Sequence, residues 1–308
     1  MSSSARGRRL ALGCSLALAF APLALAACGD DDADSGGKAA ATPAAPTALA
    51  ITTSDAGSKR FSTQAPATIK GGLVELTFTN AGKASHEAQL VRIDAGHTAQ
   101  DAVDVVASEK PGIPAWFHAA GGAGSTGPGQ TVTTTMNLPA GNYVMVDNDN
   151  QDGPPNSKLG ALAEFTVTAG EDGELPASTA TITAATDEQA KPEHSFEITG
   201  LKVGKNRLRL VDEGEEVHHA IMFPISQGKT IEDVETFLTT EGQPSGPPPI
   251  DFTGGAGTAA IDGDTEQVTD LVLRKAGKYA VICFLTNKDG KDPKPHLASG
   301  MLTEVEVQ

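Results

Sequence analysis

Sliding the sequence along itself by 132 residues brings eight positions into register without a gap. Gly72, Leu76, Gly82, His86, Ala88, Gly96, Thr98 and Asp101 fall on Gly204, Leu208, Gly214, His218, Ala220, Gly228, Thr230 and Asp233. The match resumes where Gly121-Gly122-Ala123-Gly124 recurs as Gly254-Gly255-Ala256-Gly257, and again where Ala140-Gly141-Asn142-Tyr143 recurs as Ala276-Gly277-Lys278-Tyr279. A few inserted residues in loops account for the drifting offset. A unit of about 130 residues is too long for a solenoid repeat and has the size of a domain. The 308-residue chain is therefore read as two copies of one unit, over 47–169 and 170–308, behind an N-terminal stretch of another kind.

Each copy reads mainly as strands. Val74, Leu76 and Phe78 alternate with Glu75 and Thr77, and Leu208 and Leu210 alternate with Arg207 and Arg209, the period of a half-buried strand. Val132 to Leu138 and Thr269 to Leu273 repeat that period, and each copy closes on a strand, Glu164 to Thr168 and Glu304 to Val307. One helical stretch interrupts each copy, Thr98 to Ser108 or Thr230 to Thr240, with Thr at the N-cap and acids in the first turn. Short strands at regular spacing with Gly, Pro, Asn and Asp turns predict an all-β sandwich with one short helix per copy. The boundary lies within Ala169 to Pro192.

The N-terminus is of different composition. Arg6, Arg8 and Arg9 precede an apolar, Ala/Leu-rich run from Leu10 to Ala27, which ends Leu25-Ala26-Ala27-Cys28 and turns at once to Gly29 and a series of aspartates. A basic start and a short apolar core read as a secretory signal over 1–27. Small residues before Cys28 resemble the lipobox of bacterial lipoproteins, which implies that Cys28 is acylated and becomes the new N-terminus. Arg8-Arg9 also admits twin-arginine export, although a plain basic leader accounts for it. Residues 28–46, rich in Asp, Ala, Gly and Pro, bury too little to order and are read as a flexible tether. The chain is then expected outside the cytoplasm, held to the membrane by lipid.

That reading isolates one cysteine. Of Cys14, Cys28 and Cys283, the first leaves with the signal and the second carries lipid, so Cys283 has no partner in a compartment where disulfides persist. It sits near the end of a strand over Gly277 to Leu285; His218-His219-Ala220-Ile221-Met222-Phe223 is an earlier strand, and His296 and Met301 follow the polar loop after Cys283. Imidazole, thiolate and thioether in one chain are the donor types of a blue-copper site. In His218, Cys283, His296 and Met301, with four residues between the last two, the chain resembles the cupredoxins. The resemblance implies two tandem Greek-key β-sandwich domains, and one copper in the second, held by those four residues. His219 is the alternative to His218; the latter is favoured because its strand face carries Ala220 and Met222. Twelve residues, Phe284 to Pro295, separate Cys283 from His296 where most cupredoxins have two to four. Closure entropy tolerates this, but a longer loop need not return the histidine to the same place.

The first copy lacks the set. His86 aligns with His218, but Asp147 stands at the place of Cys283, Asn156 opposite His296 and Ala161 opposite Met301. It is expected to be a sandwich without copper. Lys plus Arg number 23 against 39 Asp plus Glu, which argues against nucleic acid and suits a cationic redox partner. There are seven histidines and no His-x-His pair, so no trinuclear copper centre fits within the chain, and no hydrolase motif is present. The sequence thus predicts a lipid-anchored copper protein for electron transfer and not an enzyme. Copper storage or delivery is one alternative, and a metal-free binding or adhesion lipoprotein is the other.

Overall fold

A computed structural model describes residues 45–308 except 58–59, 109, 151–152, 188, 241 and 243–245. Cys14, the signal region and Cys28 lie outside the described residues. Among the described residues, alternation of apolar and polar residues produces nine strands in the first half: β1 Thr47–Asp55, β2 Phe61–Gln64, β3 Thr68–Lys70, β4 Gly72–Asn80, β5 His86–Ile93, β6 Phe117–Thr126, β7 Thr131–Leu138, β8 Gly141–Val146 and β9 Leu162–Thr168. Helix α1, Ala99–Val106, lies between β5 and β6. The second half runs β10 Ala180–Thr186, β11 His194–Thr199, β12 Gly204–Glu213, β13 Ile221–Pro224, α2 Ile231–Thr239, β14 Ala256–Gly257, β15 Glu266–Leu273, β16 Gly277–Ile282 and β17 Leu302–Val307. Both helices start at a capping box, Thr98 with Asp101 and Thr230 with Asp233, the threonine hydroxyl accepting the aspartate N–H while the aspartate carboxylate accepts the threonine N–H. The all-β sandwich with one helix in each half is as the sequence predicts.

One sheet is common to both halves. Its order is β11-β10-β12-β15-β7-β4-β1-β2. Reading outward from the central β15–β7 pair, each side gives an antiparallel neighbour, then a parallel one, then an antiparallel hairpin strand. The order is a palindrome, so the two halves continue one another's hydrogen bonding through β7 and β15. Two smaller sheets cover its inner face, β3-β9-β8-β5-β6 over the first half and β14-β13-β16-β17 over the second.

Between the layers, Leu49, Ile51, Val74, Leu76 and Phe78 meet Leu90, Tyr143, Met145 and Phe165, and Leu208, Leu210, Leu271 and Leu273 meet Met222, Tyr279 and Val281. Each such side chain contributes about 1.5–3 kcal/mol by leaving water. Strands β5 and β8 are apolar on both faces because α1 packs Ala99, Ala102 and Val103 onto the outer side, against Val91, Ile93, Val144 and Val146. The repeated Ala-Gly-x-Tyr acquires a reason here. Each buried tyrosine hydroxyl donates to the carbonyl four residues upstream, Tyr143 to Pro139 at 2.8 Å and Tyr279 to Lys275 at 3.1 Å. The Gly-Gly-Ala-Gly repeat sits where the halves touch: a Cβ on Gly124 would stand 2.0 Å from the Gly257 carbonyl oxygen, so only glycine fits. Beside it, Gln89 accepts the Ala260 N–H at 2.7 Å, Gln267 accepts the Gly122 N–H at 2.9 Å, and the hydroxyls of Thr134 and Thr269 meet at 2.7 Å.

Candidate metal centre

Three backbone segments converge at one end of the second half. Strand β12 leads to His218, whose main chain makes an isolated bridge to Ile261; the expected strand begins only at Ile221. Cys283 is the residue after β16, and its N–H donates to the Met301 carbonyl at 3.1 Å. The chain then leaves and returns, with the His296 N–H donating to Leu285 O at 2.7 Å and the Leu297 N–H to Cys283 O at 3.0 Å. Pro295 caps the 3-10 turn His296–Ser299 that positions the imidazole.

These segments bring three predicted side chains together. The Nδ1 atoms of His218 and His296 face each other at 3.0 Å, and Cys283 Sγ lies 3.8 and 3.6 Å from them. His218, Cys283, His296 and Met301 are all fully buried, and Met301 packs in one small cluster with Cys283 and Ala184. The outer nitrogens are tied down. His296 Nε2 donates to Asn287 Oδ1 at 3.0 Å, an atom that only accepts, so the proton is on Nε2 and the Nδ1 lone pair faces inward. His218 Nε2 is hydrogen-bonded to Thr186 Oγ1 at 2.9 Å.

Burial sets the electrostatics. It lowers the pKa of His218 to about 3 and of His296 to about 2, with neighbouring imidazoles adding to the effect, and it pushes the Cys283 thiol up to about 12. Neutral imidazoles and a thiol that loses its proton to a cation are the forms in which these groups ligate. Two imidazole nitrogens and a sulfur converging in a dry pocket fit a soft or borderline transition metal such as copper or zinc.

His219 lies apart from this set. It is half-buried, its Nε2 accepts the Phe284 N–H at 3.0 Å, and burial lowers its pKa to about 4. The twelve-residue loop does deliver His296, and its added length carries further contacts. The loop supplies Asn287; Lys288 N–H donates to Glu216 at 2.6 Å, its ammonium pairs with Asp262, and Thr286 and Lys288 accept backbone N–H groups of Gly112 and Ile113 from the first half.

The sequence reading omitted a third histidine. His194, the first residue of β11, forms with His218 and His296 a buried group whose ligating atoms lie within 4.8 Å of one another. Its Nδ1 is 3.0 Å from Thr186 Oγ1, the hydroxyl that also holds His218.

In the first half the corresponding place is closed by its own hydrogen bonds. His86 Nδ1 meets Asp147 Oδ2 at 2.5 Å, and Asn156 Nδ2 donates to the same oxygen at 3.3 Å. The backbone repeats that of the second half: Ser157 N–H donates to Asp147 O, as Leu297 to Cys283, and Ala161 N–H to Asn156 O, as Met301 to His296. Asp147, Asn156 and Ala161 thus occupy the places of Cys283, His296 and Met301. Among the described residues, no helix is long and apolar enough to cross a membrane.

No protein-family model matches the chain, and no curated protein matches it. Among solved structures it is similar to a multicopper oxidase at 15% identity, covering 85% of this chain and 88% of that one with a TM-score of 0.23. A reduced auracyanin from Roseiflexus castenholzii aligns at 21% identity over 39% of this chain and 96% of its own, TM-score 0.27. Copper nitrite reductase from Nitrosomonas europaea aligns at 14% identity over 85% and 94%, TM-score 0.24. The expectation that the chain is not an enzyme is corrected here: two of these proteins, matched across 85% of this chain, are named as an oxidase and a reductase, and that exclusion is withdrawn.

Proposed function

We propose that the chain is a copper-binding redox protein built from two cupredoxin-like units, with one copper in the second, held by His218, Cys283 and His296 and completed by Met301. The observation that carries this reading is the contrast between the halves. At the same backbone positions, the first has a carboxylate 2.5 Å from the Nδ1 of its histidine and an amide that donates to that carboxylate, whereas the second has two imidazole nitrogens and a sulfur facing one another at 3.0–3.8 Å. Copper bound there supplies one-electron chemistry, and this donor set suits both of its oxidation states. The protein's own part is to keep the donors buried, pre-positioned and shielded from water, so that little rearranges when the charge changes.

Localisation and partner follow from the sequence. Cys28 is acylated, the 28–46 tether lifts the folded part off the membrane on its outer side, and the excess of 39 acids over 23 bases steers a cationic redox partner.

Copper titration of the chain, followed by visible absorbance, tests the site. One copper per chain is expected, with an intense thiolate-to-copper band that is lost in Cys283→Ser. Absence of stoichiometric binding, or binding indifferent to Cys283→Ser, overturns it. Tight Cu(I) binding without a reversible potential assigns the site to storage instead.

A further inference from the structure

We infer that His194 is a further ligand of this copper, so that the centre offers three imidazoles and a thiolate rather than two imidazoles and a thiolate. The inference rests on the copper reading above and adds a residue that the resemblance to cupredoxins does not contain.

The internal repeat supplies the comparison. The hairpin β1–β2 ends with Asp55 opposite Phe61, and the hairpin β10–β11 ends with Thr186 opposite His194. Phe61 and His194 hold the same place in three respects. Each is the first residue of its strand. Each makes a T-shaped contact with the histidine of its own half, Phe61 with His86 at 4.5 Å between ring centroids and His194 with His218 at 5.5 Å. The carbonyl oxygen of each leaves no room for a Cβ on the glycine after the 3-10 turn, Gly160 against Phe61 and Gly300 against His194.

Packing at this place thus needs only an apolar ring, which phenylalanine provides with nothing left to satisfy. The second half instead carries a residue that is 1% exposed and whose Nε2 makes no hydrogen bond, the Glu193 carboxylate lying 3.9 Å from it. A buried bare nitrogen is unfavourable unless something comes to it; His86 Nε2 in the first half is bare as well, so the nitrogen of His194 counts together with the cluster of three imidazoles and not alone. Its other nitrogen is anchored, Nδ1 to Thr186 Oγ1 at 3.0 Å. His218 and His296 each have Nε2 held by a protein oxygen, of Thr186 or Asn287, and Nδ1 turned to Cys283 Sγ. An imidazole with one nitrogen tied to a protein oxygen and the other free is the usual state of a metal-ligating histidine. The three rings are also close: His194 lies over His296 with centroids 4.1 Å apart, and the ligating atoms of all three lie within 4.8 Å. His194 is present in the half that has Cys283, His296 and Met301, and replaced by Phe61 in the half that has Asp147, Asn156 and Ala161.

The test compares the unmodified chain with His194→Phe, a substitution the first half already accommodates, and with Cys283→Ser. Copper affinity is measured against a competing chelator, and the Cu(II) form by electron paramagnetic resonance. His194→Phe is expected to keep the thiolate band, to lose about tenfold or more in affinity, and to change the resonance spectrum. In the unmodified chain labelled with 15N-histidine, Cu(I) is expected to shift Nε2 of His194 along with Nδ1 of His218 and His296. Unchanged affinity and spectrum in His194→Phe overturn the inference while the copper site stands. If circular dichroism shows that His194→Phe does not fold, the nitrogen shifts decide, and an unmoved His194 Nε2 overturns it. No copper on the unmodified chain overturns both readings together.

Discussion

Asn287 and His296 face each other across 3.0 Å, the amide oxygen on the imidazole Nε2. Asn287 belongs to the long loop that intervenes between Cys283 and His296, so the loop orients the histidine it delivers. Asn287→Leu removes the acceptor and frees the ring to turn or to change tautomer. It is expected to weaken copper binding about 10- to 100-fold with the far-ultraviolet spectrum unchanged, whereas Asn287→Asp retains binding. Equal affinities in all three proteins would remove any orienting role.

Gly300 combines a left-handed backbone, φ +125°, with a neighbour that would lie 2.0 Å from any Cβ, the carbonyl oxygen of His194. Gly300→Ala must push apart the turn carrying His296 and the start of β11. A loss of stability well above about 1 kcal/mol is expected in thermal unfolding, accompanied by loss of copper affinity. Gly160→Ala, at φ +104° and 2.5 Å from Phe61 O, should destabilise the chain and leave copper binding intact. Gly96→Ala, with open space around it at φ +95°, serves as the reference for backbone strain alone.

The hydroxyls of Thr134 and Thr269 meet at 2.7 Å across the central strand pair, and Thr134 also donates to Gly122 O at 3.1 Å. That leaves Thr269 as donor to Thr134. Thr134→Val orphans the Thr269 hydroxyl and is expected to cost about 1–3 kcal/mol in urea unfolding, against about 1 kcal/mol for Thr269→Val. The double variant should lose less than the two costs together, because residues in contact couple. Strict additivity would contradict a sheet that runs through both halves.

Glu87 supplies a pH dependence. Burial first, then the nearby Asp149 and Asp147, raises its carboxyl from 4.5 to about 8, although the Asn148 N–H it accepts opposes the shift. Between those values the folded chain holds a proton that the unfolded chain has released, so stability falls as pH rises through the window. Glutamine keeps the acceptor without the charge. Glu87→Gln is expected to melt above the unmodified chain at pH 8 and to converge with it below pH 4.5. A constant offset at every pH would mean the gain has another origin.

The legible parts of this protein are the local ones. Period-two alternation located β4, β7, β9, β15 and β17, and the capping threonines located both helices, because these signals are carried by neighbouring residues. Aligning the halves from their last strands placed Asp147, Asn156 and Ala161 correctly, since backbone pairing near a strand end is short-ranged. His194 escaped because its partner is Phe61, one residue off the 132-residue offset, and because an imidazole replacing a phenyl ring leaves no repeated letter. The continuity of the large sheet escaped too, since Val268 opposite Thr135 and Gln267 opposite Met136 are pairings between distant segments that no local pattern marks.

The palindromic sheet has a consequence for what can be cut away. A strand with unpaired N–H and C=O groups is a template for another chain, and folds usually blunt such edges with charge, proline or a cover. Strands β7 and β15 blunt each other. Splitting the chain near residue 170 would leave each piece with a bare, apolar-backed edge, ready to pair with a second copy of itself or to aggregate. The copy that lacks the cysteine thereby shields the one that has it.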